Sequence, residues 1–412
     1  MTRYPMALAS AAGASVFLVA GFPAVSHAVA PVPCDTAQLV SAIQTANSGT
    51  GDTLSLAAGC TYHLAAPFSG VDGLPPITKP IVIQGNGATV VRDATASGPF
   101  RIFDVAPTGD LTLRVLTVKD GLLSAASDTG AGILVQAGGF LTAATSTVSG
   151  STAASDGGGI SVNGTATLTG TTVTGNTGRD GGGLFTNAAA SLTVTGSRVT
   201  SNHATRDGGA LDAVGALSRI TSTVVSGNVS ARDGGGIEYD NGVNTLDTST
   251  LTDNSSTSTT AGLGAGIYNA ADLTLNSTNV STNTSPGTNA LGGGLYNVSG
   301  EKATLNSSTV TGSTLTGTNA KGAGVFNEGT LTLDRTAVTD NRATGTASQT
   351  GGLYNSSGTV TLTSSTVTGN RSATAPGGLR TDVAITLATS AIVGNTPTNC
   401  TGSPVVPAGC VG

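Results

Sequence analysis

Residues 181–202 read GGGLFTNAAASLTVTGSRVTSN, and the parts of this stretch return in the same order along most of the chain. A glycine pair or triplet precedes an aliphatic residue, then a Thr-rich segment with alternating apolar residues, and finally Asn. Period-two alternation with β-branched residues is typical of β-strands. Glycines at a recurring corner supply the backbone freedom that a sharp turn needs. The stretch therefore predicts one coil of a repeating β structure.

The glycine-aliphatic motif recurs with its aliphatic residue 24 to 30 positions from the next one. The copies lie at 130–133, 157–160, 181–184, 208–211, 234–237, 264–267, 292–295, 322–325, 351–353 and 377–379. This spacing suits a three-stranded coil, because stacked coils connect parallel strands without helices. Chain chirality favours right-handed winding. We predict an all-β fold, a single-stranded right-handed parallel β-helix (solenoid) with about a dozen coils spanning roughly 60 Å.

The composition agrees with a solenoid and argues against one class of partner. Charged residues make up 10% of the chain and aromatic residues 3%, with 60 Gly and no Trp. A solenoid needs only a thin core that each coil extends, so few large apolar side chains suffice. The net charge of −6 is spread thinly, without a basic stripe. We therefore expect no nucleic-acid partner.

Residues 1–28 have the features of a cleavable signal peptide. Arg3 precedes an apolar run from 6 to 22, and small residues follow it. Such a run is short for a spanning helix, although a retained anchor is the alternative. No second apolar stretch of about 20 residues follows. We expect a secreted, extracellular protein with no membrane span after cleavage, and a monomer.

The remaining chain divides into three parts. Residues 29–100 are predicted to form an N-terminal cap and the first coils, 101–395 the β-helix repeats, and 396–412 a disulfide-closed tail. Within the cap, 36–47 has helical spacing with Thr36 as a possible N-cap, so a short helix is expected to cover the first coil. Disulfides are expected because the protein is exported, and local pairing is favoured since the ends of a long rod cannot meet. The four cysteines are Cys34, Cys60, Cys400 and Cys410.

Asn recurs after one strand of most coils. Residues at one coil position stack above one another, and an amide both donates and accepts hydrogen bonds along such a column. An asparagine ladder is the predicted outcome. Its members are Asn176, Asn202, Asn228, Asn254, Asn283, Asn341, Asn370 and Asn395.

Several segments carry a family resemblance. GAGIYN (264–269), GGGLYN (292–297), GAGVFN (322–327) and GGLYN (351–355) resemble the repeats of chlamydial polymorphic outer-membrane proteins. Together with CDTAQLVSAIQTAN, GNGATVVRD and the Cys-bracketed end, they make the mature chain similar to secreted right-handed parallel β-helix repeat proteins common in actinobacteria. The resemblance implies the fold. For function it implies only a range of adhesins, polysaccharide lyases, glycoside hydrolases and proteins without an assigned role.

Acidic residues precede the glycines in consecutive coils, and three of them follow an arginine. Stacked carboxylates about 5 Å apart can bind Ca²⁺, and a neighbouring arginine can pair with a uronate or act as the base of a lyase. The plainer interpretation, which we favour, is that Asp-Gly forms turns and that Asp and Arg neutralise one another. The set consists of Asp156, Asp180, Asp207 and Asp233 with Arg179, Arg206 and Arg232.

A second column is aromatic and is expected to point outward, because each ring follows the buried aliphatic residue of the motif. An exposed stripe can stack sugar rings, whereas mutual stacking between coils is the favoured alternative. Asp212 replaces the aromatic residue in one coil, and Tyr239 lies one residue out of register. The column consists of Phe185, Tyr268, Tyr296, Phe326 and Tyr354.

These features predict a protein whose main role is to present an extended surface. The expected partner is a polysaccharide or another cell-envelope or surface component, bound without catalysis. The alternative is a polysaccharide lyase or glycoside hydrolase that acts on an acidic polysaccharide. Calcium is the one cofactor that the sequence suggests, through the acidic column alone.

Overall fold

The computed structural model describes residues 31–215 and 217–412, so the predicted signal peptide lies outside the described residues. The described chain winds into a parallel β-helix of about 12 coils with four sheets of 13, 13, 10 and 11 strands. Every strand pairs in parallel with the equivalent strand of the next coil, as Ser191–Thr195 does with Leu217–Thr221. The predicted all-β solenoid is confirmed. At ~4.8 Å per strand, the 13-stranded sheets span roughly 58 Å.

The strands are short and occupy fixed places in each coil. Sheet 1 contains Asp52–Ser55, Pro80–Gln84, Asp110–Arg114, Phe140–Ala144, Thr165–Thr169, Ser191–Thr195, Leu217–Thr221, Val243–Asp247, Asp272–Asn276, Lys302–Asn306, Thr330–Asp334, Thr359–Thr363 and Thr386–Ala388. Sheet 2 contains Thr61–Leu64, Thr89–Arg92, Thr117–Lys119, Thr147–Ser149, Thr172–Thr174, Arg198–Thr200, Val224–Ser226, Thr250–Thr252, Asn279–Ser281, Thr309–Thr311, Ala337–Thr339, Thr366–Thr368 and Ala391–Val393.

The other two sheets complete the coil. Sheet 3 contains Leu122–Leu123, Thr152–Ala153, Thr177–Gly178, His203–Ala204, Val229–Ser230, Ser255–Ser256, Thr284–Ser285, Thr314–Leu315, Arg342–Ala343 and Arg371–Ser372. Sheet 4 contains Phe103–Val105, Ile133–Val135, Ile160–Val162, Leu184–Thr186, Leu211–Ala213, Ile237–Tyr239, Ile267–Asn269, Leu295–Asn297, Val325–Asn327, Leu353–Asn355 and Leu379–Thr381.

A coil has four strands where three were predicted. The chain runs through sheets 4, 1, 2 and 3 in that order and then enters sheet 4 of the next coil. The strands of sheet 3 have only two residues each. So short a strand shows no alternation, which explains why the spacing of the motif did not reveal it.

Alternating residues of the strands form the core. In Ser191–Thr195, for example, Leu192 and Val194 are buried and the other three residues face outward. Equivalent side chains from the other coils join them in one continuous cluster inside the helix. Each buried aliphatic side chain contributes about 1.5–3 kcal/mol relative to an exposed one. The fold is therefore stabilised evenly along its length.

The N-terminal end carries the predicted helix, which spans Thr36–Ser48. It lies against the first strands of sheets 1 and 2, with Leu39 and Ile43 fully buried. The expected N-cap, Thr36, is wrong by one position. Asp35 caps the helix, since its Oδ1 accepts a hydrogen bond from the Gln38 N–H at 2.9 Å, while the Thr36 hydroxyl donates to the His63 carbonyl.

Two disulfides, Cys34–Cys60 and Cys400–Cys410, join the cysteines as predicted. Each lies near one end of the β-helix. None of the helices within 31–215 and 217–412 is both long and apolar enough to cross a membrane.

Two columns of asparagine side chains support the corners. The predicted ladder is confirmed, because the Asn176 Nδ2 donates to the Asn202 Oδ1 at 3.0 Å and the pattern repeats along the column. Ser313 interrupts it in one coil, where its N–H donates to Asn341. A second ladder, which we did not predict, has spacings of 2.7 to 2.8 Å. It consists of Asn269, Asn297, Asn327 and Asn355.

Candidate functional site

Two parallel columns of side chains mark the corner where the chain passes from sheet 3 to sheet 4. The turn column lies in the turns themselves, and its members follow one another through backbone hydrogen bonds and bridges. It consists of Asp156, Asp180, Asp207, Asp233, Leu263, Leu291, Lys321 and Gln349. The strand column is the outer face of sheet 4. It consists of Ser161, Phe185, Asp212, Glu238, Tyr268, Tyr296, Phe326, Tyr354 and Arg380.

Glycines bring the two columns together. Gly181 has a φ of +60°, and a Cβ atom at this position would lie 2.1 Å from the Leu184 carbonyl oxygen. The turn therefore passes so close to the strand that only glycine fits. A Cβ atom at Gly208 would lie 2.7 Å from the Asp212 Cβ, and one at Gly234 would lie 2.8 Å from the Glu238 Cβ. The glycine motif thus places each turn residue beside the outer face of sheet 4.

In the N-terminal coils the turn column forms a ladder of alternating charges. Arg179 donates to Asp156 through Nε at 3.1 Å and Nη2 at 3.2 Å. Arg206 makes the same bidentate contact with Asp180, through Nη2 and through Nε, which lies 2.7 Å from Oδ1. Arg232 binds Asp207 with its Nε at 2.8 Å. Each arginine therefore reaches back to the aspartate of the preceding coil.

The central carboxylates of this ladder are enclosed. The side chains of Asp180 and Asp207 are 2% and 3% exposed, and the arginines that cover them are about half exposed. Each carboxylate also accepts a backbone N–H from the next coil. The Asp207 N–H donates to the Asp180 Oδ1 at 3.3 Å, and the Asp233 N–H donates to the Asp207 Oδ1 at 3.1 Å. An ion or a sugar acid reaches these oxygens only by displacing an arginine. The calcium or uronate site therefore stays a prediction, and it requires that an arginine leave its aspartate.

The ends of the ladder are less fully paired. Asp233 accepts the Leu263 N–H at 2.9 Å, where the acidic part of the column stops. Burial raises the pKa of Asp233 to about 6, and that of Asp156 is also raised by burial and by the neighbouring Asp180. Within residues 31–215 and 217–412, no three His, Cys, Asp or Glu side chains are grouped so that they could hold a metal ion.

Two buried acids, Asp212 and Glu238, lie beside the ladder in the strand column. They are 3% and 6% exposed, and Asp212 Oδ1 and Glu238 Oε2 have no hydrogen-bond partner. Burial, followed by the charge of nearby acids, raises the pKa of Glu238 to about 11 and that of Asp212 well above its usual value. Glu238 is therefore neutral at pH 7, and the same burial favours the neutral form of Asp212. The sequence pattern identifies Asp212 but not Glu238, because it gives only Tyr239 in that coil; Tyr239 faces the core, and Glu238 is the residue in register with Tyr268.

In the C-terminal coils the strand column is a stack of rings. The ring centroids of Tyr268 and Tyr296 are 5.4 Å apart, those of Tyr296 and Phe326 5.7 Å, and those of Phe326 and Tyr354 5.1 Å. The favoured prediction of mutual stacking is confirmed for Tyr296, Phe326 and Tyr354, whereas the Tyr268 ring is tilted by 39° against Tyr296. Phe185 lies apart, next to Asp212. The expectation of an exposed stripe is wrong for three rings. Tyr296, Phe326 and Tyr354 are only 3–7% exposed, because Leu263, Leu291 and other turn residues pack over them.

A shallow groove of about 470 Å³ lies along the turns of these same coils. Lys321 belongs to its wall, and its Nζ lies 5.5 Å from the centroid of the Tyr354 ring. Asn289 and Asn319 are exposed, whereas the Gln349 Oε1 is buried and has no hydrogen-bond partner in the protein. The groove is lined by Asn289, Leu291, Asn319, Lys321 and Gln349. We did not predict it, because its amides lie in turns outside the recurring motif.

The corner between sheets 3 and 4 therefore combines most of the predicted site residues with the amides that we missed. Its N-terminal part is saturated with internal ion pairs, and its C-terminal part presents polar side chains to solvent. Comparison of the chain with protein-family models, with curated proteins and with solved structures gave no match.

Proposed function

We propose that the protein is exported and that its β-helix presents an extended surface which binds glycan, or another cell-envelope component, without altering it chemically. The two disulfides support export, because such bonds persist in oxidising compartments. The rigid stack of coils supports surface presentation. Side chains on successive coils are held at a fixed spacing of about 4.8 Å, which suits a polymer with repeating units.

The groove over the ring stack is the observation on which this proposal depends. Asn289, Asn319 and Gln349 supply amides from three coils, and an amide can both donate to and accept from a sugar hydroxyl. Leu291 offers an apolar contact for the face of a sugar ring, and Lys321 offers a charge. A groove with few apolar and several adaptable polar groups fits a hydrated polymer better than an apolar ligand.

The rival function is a calcium-dependent lyase or glycoside hydrolase that uses the acidic ladder. This function requires Asp180 or Asp207 to bind an ion or to move a proton. Both carboxylates are held by arginines and by backbone N–H groups. Their release would cost the hydrogen bonds of the ladder, and those to charged groups contribute about 1.5–3 kcal/mol each. The exposed amides of Asn289 and Asn319 carry no such cost.

The decisive experiment measures retention and turnover together. Purified protein is incubated with insoluble polysaccharides and washed, and in parallel with uronate polymers and Ca²⁺ while the absorbance of unsaturated products is followed. We expect retention without turnover. The triple variant N289A/N319A/Q349A should lose retention, whereas N241A/Q44A, which removes two exposed amides elsewhere, should keep it.

Equal retention of the groove variant and the wild type would contradict the role of the groove as the binding site. Turnover that disappears in Asp180→Ala or Asp207→Ala would establish the rival function instead. Thermal unfolding of each variant shows whether the fold is intact.

A further inference from the structure

Two arginines lie next to each other on the outer face of sheet 3. Arg342 and Arg371 are directly paired in parallel register, so their backbones are about 4.8 Å apart. Both side chains are exposed. Each follows a member of the asparagine ladder, and the Asn341 Nδ2 donates to the Asn370 Oδ1 at 3.0 Å. The ladder thus fixes the strands from which the two guanidinium groups extend.

This pair has no counterion in the protein. Across the part of the chain that the structure describes, no carboxylate lies within 4 Å of either guanidinium group. The arginines of the acidic ladder, by contrast, each form an ion pair with an aspartate of the preceding coil. Like charges directly opposite each other on neighbouring strands destabilise a sheet. An anion from outside the chain would remove that repulsion.

The two arginines also line a concavity. A groove of about 430 Å³ lies beside them, and the exposed Thr396, which is bridged to Arg371, contributes to its wall. The Ser372 hydroxyl, by contrast, is turned inward and donates to the Thr374 and Pro376 carbonyls. A guanidinium group presents a planar fork of N–H donors that matches the oxygens of carboxylate, sulfate or phosphate. Two forks one strand apart, with Thr396 beside them, are suited to anionic oxygens.

We propose that Arg342 and Arg371 form an oxyanion site which takes the charged groups of an acidic polysaccharide. The site lies close in sequence to the amide groove, because the turn that follows Arg342 carries Gln349 of that groove. The inference therefore rests on the proposed glycan-binding function and specifies its ligand as negatively charged. Sulfate esters and uronate carboxylates share the required chemistry.

The test compares a charged polymer with its neutral parent. Affinity is measured by surface plasmon resonance on immobilised dextran sulfate, on dextran and on polygalacturonate. We expect binding to dextran sulfate but not to dextran. The double variant R342A/R371A should weaken that binding about tenfold or more, since charge-assisted hydrogen bonds from both forks are lost. R342K/R371K keeps the charge but loses the forks, so it should lie in between.

R114A/R198A provides a control with the same change in net charge. Arg114 and Arg198 are exposed and unpaired in the structure, but neither has an arginine on the neighbouring strand. Its affinity should stay within about twofold of the wild type, because screened surface charges act weakly at a distance. An equal loss in this control would show that net charge alone matters and would overturn the site. Equal binding of dextran and dextran sulfate would overturn it too.

The outcomes separate this inference from the proposed function. Polygalacturonate binding that depends on the arginine pair identifies carboxylates as accepted groups, whereas dependence seen only with dextran sulfate identifies sulfate esters; both uphold the site. Retention on neutral polysaccharides with no effect of R342A/R371A on charged ones would leave the proposed function standing and remove the oxyanion site. Binding that depends on the arginines but not on the amide groove would uphold the oxyanion site and remove the amide groove from the proposed function.

Discussion

The same two columns at the corner of sheets 3 and 4 hold different chemistry in the two halves of the β-helix. In the N-terminal coils they hold ion pairs and buried acids, such as Asp207 and Glu238. In the C-terminal coils they hold stacked rings such as Phe326 under a cover of turn residues. The backbone register runs through both halves without a break. A solenoid column therefore needs neighbours that complement each other along the stack, and either charge or aromatic packing meets that need.

The two halves also differ in the length of the turn that joins sheet 3 to sheet 4. Between Thr177–Gly178 and Leu184 the turn has the residues RDGGG, whereas between Ser255–Ser256 and Ile267 it has TSTTAGLGAG. The longer turn can fold back over the strand column, and Leu263 occupies the place of the aspartates. Long turns thus cover apolar rings, and short turns leave a charged edge. Four predictions examine how strongly each half depends on its own chemistry.

The largest effect is expected in the ring stack. Phe326→Ala removes the ring between Tyr296 and Tyr354, and Phe326 is only 3% exposed. We expect the free energy of unfolding to fall by about 3–5 kcal/mol, because a cavity remains where the ring packed. Urea denaturation measures the loss, and faster hydrogen exchange in sheet 4 should locate it. Phe140→Ala, at an exposed ring, should change stability by less than about 0.5 kcal/mol.

The second prediction concerns pH and the acidic half. Because the pKa of Glu238 is raised to about 11, the folded chain holds this proton between the ordinary pKa of an unfolded glutamate and about pH 11, while the unfolded chain releases it. Stability is therefore highest below the unfolded pKa and falls with rising pH, by up to ~1.4 kcal/mol per unit. Glu238→Gln keeps a neutral side chain and removes this dependence.

We expect Glu238→Gln to gain about 4 kcal/mol relative to the wild type when the pH rises from 5 to 8. Urea denaturation of both proteins at several pH values gives the difference. Parallel curves for the two proteins would mean that Glu238 ionises without penalty, and the acidic half would then depend on charge alone. Asp272→Asn, at an exposed carboxylate, serves as the control.

The third prediction tests the charge ladder itself. Asp207→Ala leaves the Arg232 fork and the Asp233 N–H without their acceptor. We expect a loss of about 2 kcal/mol, less than for the ring, because the arginines regain hydration at the surface. Asp272→Ala breaks only the exposed pair with Lys302 and should cost less than about 0.5 kcal/mol. Equal losses in the two variants would show that the ladder is no stronger than an ordinary surface ion pair.

The comparison also explains which features could be predicted from the sequence. Inward residues such as Leu192 and the asparagine ladder follow from periodicity, because equivalent positions must stack. The burial of Tyr296 did not follow, since it depends on how a turn of variable length folds back. Asn289 and Gln349 were missed for the same reason. Arg342 and Arg371 had a usable signal, as both directly follow ladder asparagines, but their lack of a counterion is a property of three-dimensional structure.

The smallest effect separates the rings from their hydroxyl groups. The Tyr296 hydroxyl donates to the Glu328 Oε2 at 2.6 Å, and burial raises the pKa of Tyr296. Tyr296→Phe keeps the stacking and removes this bond, so we expect a loss of about 1 kcal/mol in urea denaturation. Tyr296→Leu should cost more, because it removes the ring contacts as well. If Tyr296→Phe cost as much as Tyr296→Leu, hydrogen bonding would hold the C-terminal half together as it holds the N-terminal half, and the contrast between them would disappear.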